Sequence, residues 1–399
     1  MRFASALSDS VQLLSAAHQA SQQVLESLAG QPCHWACLFA SPSYRTDWTD
    51  ALALIHKTLK PSTLIGCSGL GVIGGGREVE SVPAVSLVAA HLPDVRVHPF
   101  AIRPDELELS GPGGFWVDKI GVLPHERPIF VLLVDPLTCD ASKLLTELNA
   151  TFPRCPIIGG LASGGEAAGE HRLFYDTAPC SEGAVGVALT GNVALETVIA
   201  QGCRPIGRPM VVTKAEEHIV WELGGRQALE VLREVFVGLS PMEQELAQRS
   251  VFVGMVINEM KPAFGSGDFL IRNLVGIDPP SGAIAVADAV QIGQTLQFHL
   301  RDPNASREEL RRLLFQRTTN PPHASPAGAL LFNCLGRGKA FYGTPQQDLK
   351  TIRSLFGAGV SVGGLFCNGE IGPVGGTNFL HGYTASLGLF HPANPPAHP

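Results

Sequence analysis

Short apolar runs alternate with amphipathic stretches along this chain. Residues 34–40 (HWACLFA), 129–135 (IFVLLVD) and 328–335 (GALLFNCL) are runs of the length and β-branched or aromatic content that make buried strands. Each is followed by a loop and then by apolar positions at helical spacing, over 51–59, 141–148 and 347–356. Each helix leads to a second apolar run ending in small residues: TLIGCS, PIIGGLAS and VSVGGLFC. The chain thus carries three copies of strand, helix, strand and small-residue turn. Such a unit makes a right-handed parallel crossover, and ligands of such sheets gather beyond the carboxyl ends of the strands.

Segments of another kind lie between the copies. Residues 183–202 and 282–302 each read as strand, turn, strand, and 85–102 resembles them more loosely; all three are expected to be antiparallel hairpins. Further helices are expected over 227–237 and over 306–316, the latter opened by Ser306 and Glu309 as a capping box. The first 30 residues offer one amphipathic helix, and 238–250 reads as a junction between halves. The fold class is α/β, two halves built from repeated strand-helix-strand units with antiparallel hairpins in mixed sheets. The expected limits are 1–225 and 226–390, with 391–399 a disordered tail.

The stretch STLIGCSGLGVIGGGREVE contains Gly69, Gly71 and Gly74 in the G-x-G-x-x-G spacing of a dinucleotide-binding loop. That loop works only where a helix opens behind the glycines, and here Gly75, Gly76 and then Pro83 stand in the way of one. The glycines are expected to form a strand-end turn. Gly66, Gly159–Gly160 and Gly363–Gly364 are expected to let backbone approach a neighbour or a ligand closely.

Composition narrows the classes. Of 399 residues, 45% are hydrophobic and 16% charged, so the chain is globular; its formal charge of -7 excludes a general nucleic-acid binder. Arg307, Arg311, Arg312 and Arg317 are balanced by Glu308 and Glu309 on one helix. The N-terminus lacks the apolar core of a signal peptide and no run of eighteen apolar residues occurs, which points to a cytoplasmic protein with no membrane insertion. Nine cysteines without a Cys-x-x-Cys pair read as free thiols of a reducing compartment, and Cys33 with Cys37 lacks the two further ligands of a zinc site.

With QGCRPIG and VVTKA at 201–215, FNCLGRG at 332–338 and FCNGEIGPVGGTNFLHGYT at 366–384, the sequence resembles the FIST family along nearly its whole length. LIGCSGLGVIGG and PIIGGLASGG add to the likeness in the N-terminal half. The resemblance implies a FIST N part and a FIST C part forming an intracellular sensory module for a small ligand, with amino acids proposed. It also implies a haem-binding nitric-oxide sensor as an alternative. This chain looks like a standalone form: its opening is too short for an F-box and no output domain follows residue 390, so a separate signalling partner would carry the output.

Candidate ligand-binding residues cluster in the last repeat. Arg337, flanked by Gly336 and Gly338, offers a planar fork for a carboxylate, or else pairs with a structural acid. Glu370 would receive an ammonium, with Asn333, Asn368 and Asn378 as neutral partners; the alternative is an ion pair between Arg337 and Glu370. Cys367 with His381 nearby in sequence is the pair that a thiol-dependent enzyme would use, and His381 is the best-placed haem ligand among thirteen histidines. Arg204 either faces a ligand or marks a plain turn. No catalytic or metal residue is assigned, and no cofactor beyond the haem alternative.

Overall fold

A computed structural model describes residues 1–44, 48–265, 267–319 and 325–393, and the chain divides into two compact units. The first comprises Met1–Ile199, Arg311–Leu380 and the segment from Thr384 onward; the second comprises Ala200–Leu310 and His381–Tyr383. The second unit is inserted between the second and third repeats of the first.

In the first unit the three repeats fold alike. Their lead strands are Trp35–Ala40, Ile129–Val134 and Gly328–Cys334, and their crossover helices are Thr49–Leu59, Ala141–Thr151 and Gln347–Phe356. Their parallel partner strands are Leu64–Ser68, Ile157–Leu161 and Val362–Cys367. A closing strand, Val85–His91, Ala184–Gly191 or Ala385–His391, pairs antiparallel with each lead strand. The alternation of buried side chains is absent here because these strands are covered on both faces, which is why the sequence shows unbroken apolar runs.

Each repeat sends its arm to a neighbour's sheet, and the first two also send a following strand. The arm hairpins, Gly71–Gly74 with Arg77–Glu80, Leu173–Tyr175 with Ala178–Cys180 and Glu370–Val374 with Thr377–His381, join the sheets of the third, first and second repeats respectively. The strand after each closing strand, Val95–Ile102 or Ala194–Ala200, joins the sheet of the next repeat. The place this leaves beside the closing strand of the first repeat is taken by Arg2–Ser8, an N-terminal strand that the sequence reading did not foresee. The exchange is cyclic. Consequently 85–102 and 183–202 are not hairpins: the two strands of each lie in different sheets.

The small residues expected to form turns lie within the partner strands, and they have a common cause. Leu38, Leu132 and Leu331 stand directly opposite Gly66, Gly159 and Gly364 in the parallel pairs. A Cβ would meet the leucine carbonyl oxygen at 2.1 Å in the first copy and 1.8 Å in the other two, so no side chain fits. The Gly69 to Gly74 stretch runs into the first arm, and no helix follows it. Gly71–Gly74 pairs with 364–366 of the third repeat and with 77–80, and a Cβ on Gly71 would stand 2.7 Å from the Phe366 ring. These glycines serve strand packing rather than a pyrophosphate.

The second unit is a ring of six antiparallel strands: Cys203–Glu216, Thr295–Arg301, Val251–Val256, Phe269–Asp278, Ala283–Val286 and Ile219–Leu223, closed by pairing of 212–216 with 219–223. The strands expected to form a hairpin within 282–302 lie three places apart in this ring. Its interior is filled by Val212, Val220, Val253, Ile284, Leu296 and Phe298, leaving a void of only about 10 Å³. The junction expected at 238–250 is instead a helix, Pro241–Ser250, capped reciprocally by Ser240 and Glu243. The helix expected to open at Ser306 begins at Pro303, because the Asp302 carboxylate accepts from the Asn304 N–H at 2.8 Å.

At the chain's end, His391 is a buried strand residue rather than part of a tail, and 394–399 lie outside the described residues. Among the described residues no helix is long and apolar enough to cross a membrane.

Candidate functional site

The lead strand of the third repeat ends at Cys334, and the glycines around Arg337 turn the chain at once into the short helix Lys339–Tyr342. This brings Asn333, Arg337 and Tyr342 onto the first turn of the crossover helix, where Asp348 sits. Arg337 grips Asp348 with Nε to Oδ2 at 3.0 Å and Nη2 to Oδ1 at 3.1 Å. The Tyr342 hydroxyl donates to Oδ1 at 2.9 Å and the Asn333 amide to Oδ2 at 3.0 Å. The planar fork foreseen for a ligand carboxylate is therefore filled by a carboxylate of the protein, with both side chains essentially inaccessible.

Glu78, from the first arm, completes this cluster and was not apparent from sequence. Its Oε1 accepts from the Leu349 N–H at 2.9 Å. Burial, and next the charge of Asp348, push its carboxyl up to about 8. Glu80 on the same strand accepts from the Lys339 N–H at 3.0 and 3.1 Å.

The remaining candidates of the last repeat are dispersed. The partner strand does end beside the lead strand, Cys334 standing opposite Cys367, but the chain then crosses into the second repeat's sheet. Asn368 is exposed on that crossing. Glu370 is buried opposite Gly160, and its Oε2 accepts from the Thr384 N–H at 3.0 Å. Asn378 fastens the third arm to the second repeat: Nδ2 donates to Asn149 Oδ1 at 2.7 Å and to Cys155 O at 2.9 Å, and Oδ1 accepts from the Ile157 N–H at 2.8 Å. Asp176 does the same for the second arm, accepting from the Leu64 N–H at 2.9 Å. The equivalence of Leu64 and Ile157 in the repeats marks Asn378 as a structural bracket.

The thiols are held away from reactivity. Burial first, then the charge of Glu370, raises Cys367 well above the ordinary thiol range, the reverse of an activated nucleophile. Burial likewise pushes Cys33 and Cys139 up to about 12. His381 ends the strand Thr377–His381 as a buried, partnered side chain. Among the described residues no cluster of three or more His, Cys, Asp or Glu is disposed to hold a metal.

Arg204 belongs to the second unit and lines an open groove of about 670 Å³, between the helix Pro241–Ser250 and the start of the helix at Pro303. It is paired with Glu243 and Asp302. Bonds from the Ser240 hydroxyl and amide, and then from Arg204, hold the Glu243 carboxyl at about 2. Two further charges line the groove, Glu245 and Arg249, one helical turn apart. Neither makes a side-chain ion pair among the described residues, with each other or elsewhere. Met242 and Leu246 add apolar surface. Arg249 and Glu245 were missed because 238–250 reads in sequence as a junction between halves rather than as a helix.

Comparison with known proteins gives a consistent answer. The family model described as FIST N domain matches residues 34–226, and that described as FIST C domain matches 228–373. The uncharacterized protein Rv0628c of Mycobacterium tuberculosis (strain ATCC 25618 / H37Rv) is 39% identical over 98% of this chain and 100% of its own length. The uncharacterized protein Mb0898c of Mycobacterium bovis (strain ATCC BAA-935 / AF2122/97) is 38% identical over 94% of this chain and 95% of its own.

Proposed function

This chain belongs to the FIST family, whose domains are associated with sensory, signal-transduction and ligand-binding roles, and we propose that it is a sensory protein whose groove in the second unit takes a free amino acid or a similar small zwitterion. The observation that carries this reading is the contrast within the groove. Glu243, Arg204 and Asp302 are spent on one another, whereas Arg249 and Glu245 make no ion pair among the described residues. An unspent guanidinium suits an α-carboxylate, an unspent carboxylate suits an α-ammonium, and Met242 with Leu246 suits an apolar side chain. A groove of about 670 Å³ has room for such a molecule. Arg204 orients the wall through Glu243. We place the protein in the cytoplasm, its output passing to a separate partner protein.

Thermal-shift screening with amino acids and small carboxylates is the test. A ligand at about 100 times its Kd adds about 2.7 kcal/mol to the native state. Arg249→Ala should abolish the shift, and Glu245→Gln should abolish it for amino acids while sparing plain carboxylates. A panel without effect at millimolar concentration would count against the reading.

A further inference from the structure

The lead strand of the second repeat ends on a buried pair that the groove does not involve. His171 Nδ1 lies 2.9 Å from Asp135 Oδ1, and both side chains are shielded from solvent, at 1% and 0% exposure. Asp135 also accepts from the Leu137 N–H at 3.1 Å and the Thr138 hydroxyl at 2.8 Å. The other ring nitrogen, Nε2, accepts from the Gly165 N–H at 3.1 Å. A backbone N–H can only donate. Nε2 therefore carries no proton, and the imidazole is neutral with its single proton on Nδ1, turned to Asp135.

Gly165 belongs to the surface loop 164–170, GGEAAGE, in which Gly164 and Gly169 have φ of 91° and 86°. Glu170 Oε2 ties the loop internally, accepting from the Glu166 N–H at 2.7 Å and the Ala167 N–H at 3.2 Å. Both ends of the loop are fastened to other repeats. Ser163 donates from its hydroxyl to Phe366 O at 2.6 Å and accepts there from the Leu70 N–H at 2.9 Å. The Arg172 N–H donates to the Ser68 hydroxyl at 3.1 Å. The bond from Gly165 to His171 ties the start of the loop to the buried side chain at its far end.

We propose that the Gly165–His171 hydrogen bond is an acid-sensitive latch, so that protonation of His171 releases loop 164–170 while its pairing with Asp135 persists. A second proton can go only to Nε2. That nitrogen then becomes a donor facing another donor, and the bond to Gly165 cannot survive. The new charge nevertheless has a counterion. Burial resists ionisation of Asp135, but the bonds from His171, Leu137 and Thr138 keep its carboxyl below the ordinary range. The other charged groups around the ring leave this balance intact. The Glu170 carboxylate is engaged with the loop amides, and the Arg172 guanidinium is turned to Gly169 O and His171 O. Behind Asp135, Asp140 caps the crossover helix, and the Cys139 thiol is neutral. The loop is the part that yields, because it holds few buried apolar groups of its own.

The test is an NMR titration of the full chain labelled with ¹⁵N, from pH 8 downward. The His171 ring nitrogens report the proton on Nε2, and Gly165 amide exchange, corrected for its intrinsic pH dependence, reports the latch. Protection of Gly165 should fall at least about tenfold with the same midpoint as His171 protonation, while Leu132 in the lead strand stays protected. In His171→Gln, which keeps an acceptor but cannot titrate, Gly165 protection should not change with pH. Should that variant not fold, the wild-type titration decides alone. Unchanged Gly165 protection through His171 protonation overturns the proposal. So does an Nε2 protonated at pH 8 with the loop closed, or a His171 that stays neutral until the protein unfolds.

Discussion

Arg337 and Arg204 each engage carboxylates of the protein, yet they sit in opposite surroundings. Arg337 and Asp348 lie at 0% and 1% side-chain exposure among Tyr342, Asn333 and the first arm. Arg204 and Glu243 are about a third and a quarter exposed, at 32% and 27%, on the wall of an open groove. In the first setting a broken pair leaves a charge without water or partner. In the second, solvent takes over at little cost. A guanidinium between glycines at a strand end is therefore no sign of a ligand site by itself: the same small neighbours that would admit a ligand also let the chain fold back and supply its own acid.

The largest test of that contrast is to break the buried pair. Arg337→Ala or Asp348→Ala should destabilise the protein by roughly 3–5 kcal/mol, read as a lower midpoint in urea. A loss below about 1 kcal/mol would mean that the cluster is open to water and could still serve a ligand.

Glu78 sharpens the same comparison through pH. Its folded carboxyl is raised to about 8 from an ordinary 4.5, so between these values the folded protein holds a proton that the unfolded chain has released. Its contribution to stability therefore falls as pH rises through that window and is constant below about 4.5 and above about 8. Glu78→Gln retains an acceptor for the Leu349 N–H and removes the titration. Relative to wild type it should gain up to about 1.4 kcal/mol per pH unit across the window. A difference between the two proteins that does not change with pH would refute the assignment.

Much of this architecture was legible in the chain because it repeats. The three crossover helices and their flanking strands follow from apolar periodicity, and the glycine within each partner strand follows from the close approach of a leucine carbonyl. What periodicity could not show was which sheet a strand joins. Val85–His91 and Val95–Ile102 read as one hairpin because a turn of three residues separates them, yet they pair with different repeats. The site reading failed for the same reason. Arg337 and Glu370 are near in the repeat, but Glu370 opens an arm exported to the second repeat's sheet, whereas Asp348, one residue into a helix turn, is the acid that meets Arg337. The unspent charges Glu245 and Arg249 carry no sequence mark at all, since only their geometry tells them from an ordinary helical pair.

The smallest effect on stability belongs to Arg204, and it is the one that separates the two regions. Arg204→Ala removes bonds to Glu243 and Asp302 that water can replace, so the loss should be about 0.2–1 kcal/mol, near the resolution of denaturant melts. Its effect on ligand response should be larger than its effect on folding. Glu243 anchors the first turn of the helix that carries Glu245 and Arg249, and without Arg204 that wall keeps its Ser240 cap but loses its tie to the strand. An amino acid that stabilises wild type should then bind more weakly, with its thermal shift reduced while the ligand-free melt is almost unmoved. Arg337→Ala, measured beside it at a temperature where both are folded, should show the reverse: a large loss of stability with the ligand shift intact. If both variants lost stability and ligand response together, the groove and the buried cluster would not be independent, and the contrast between the two arginines would fall.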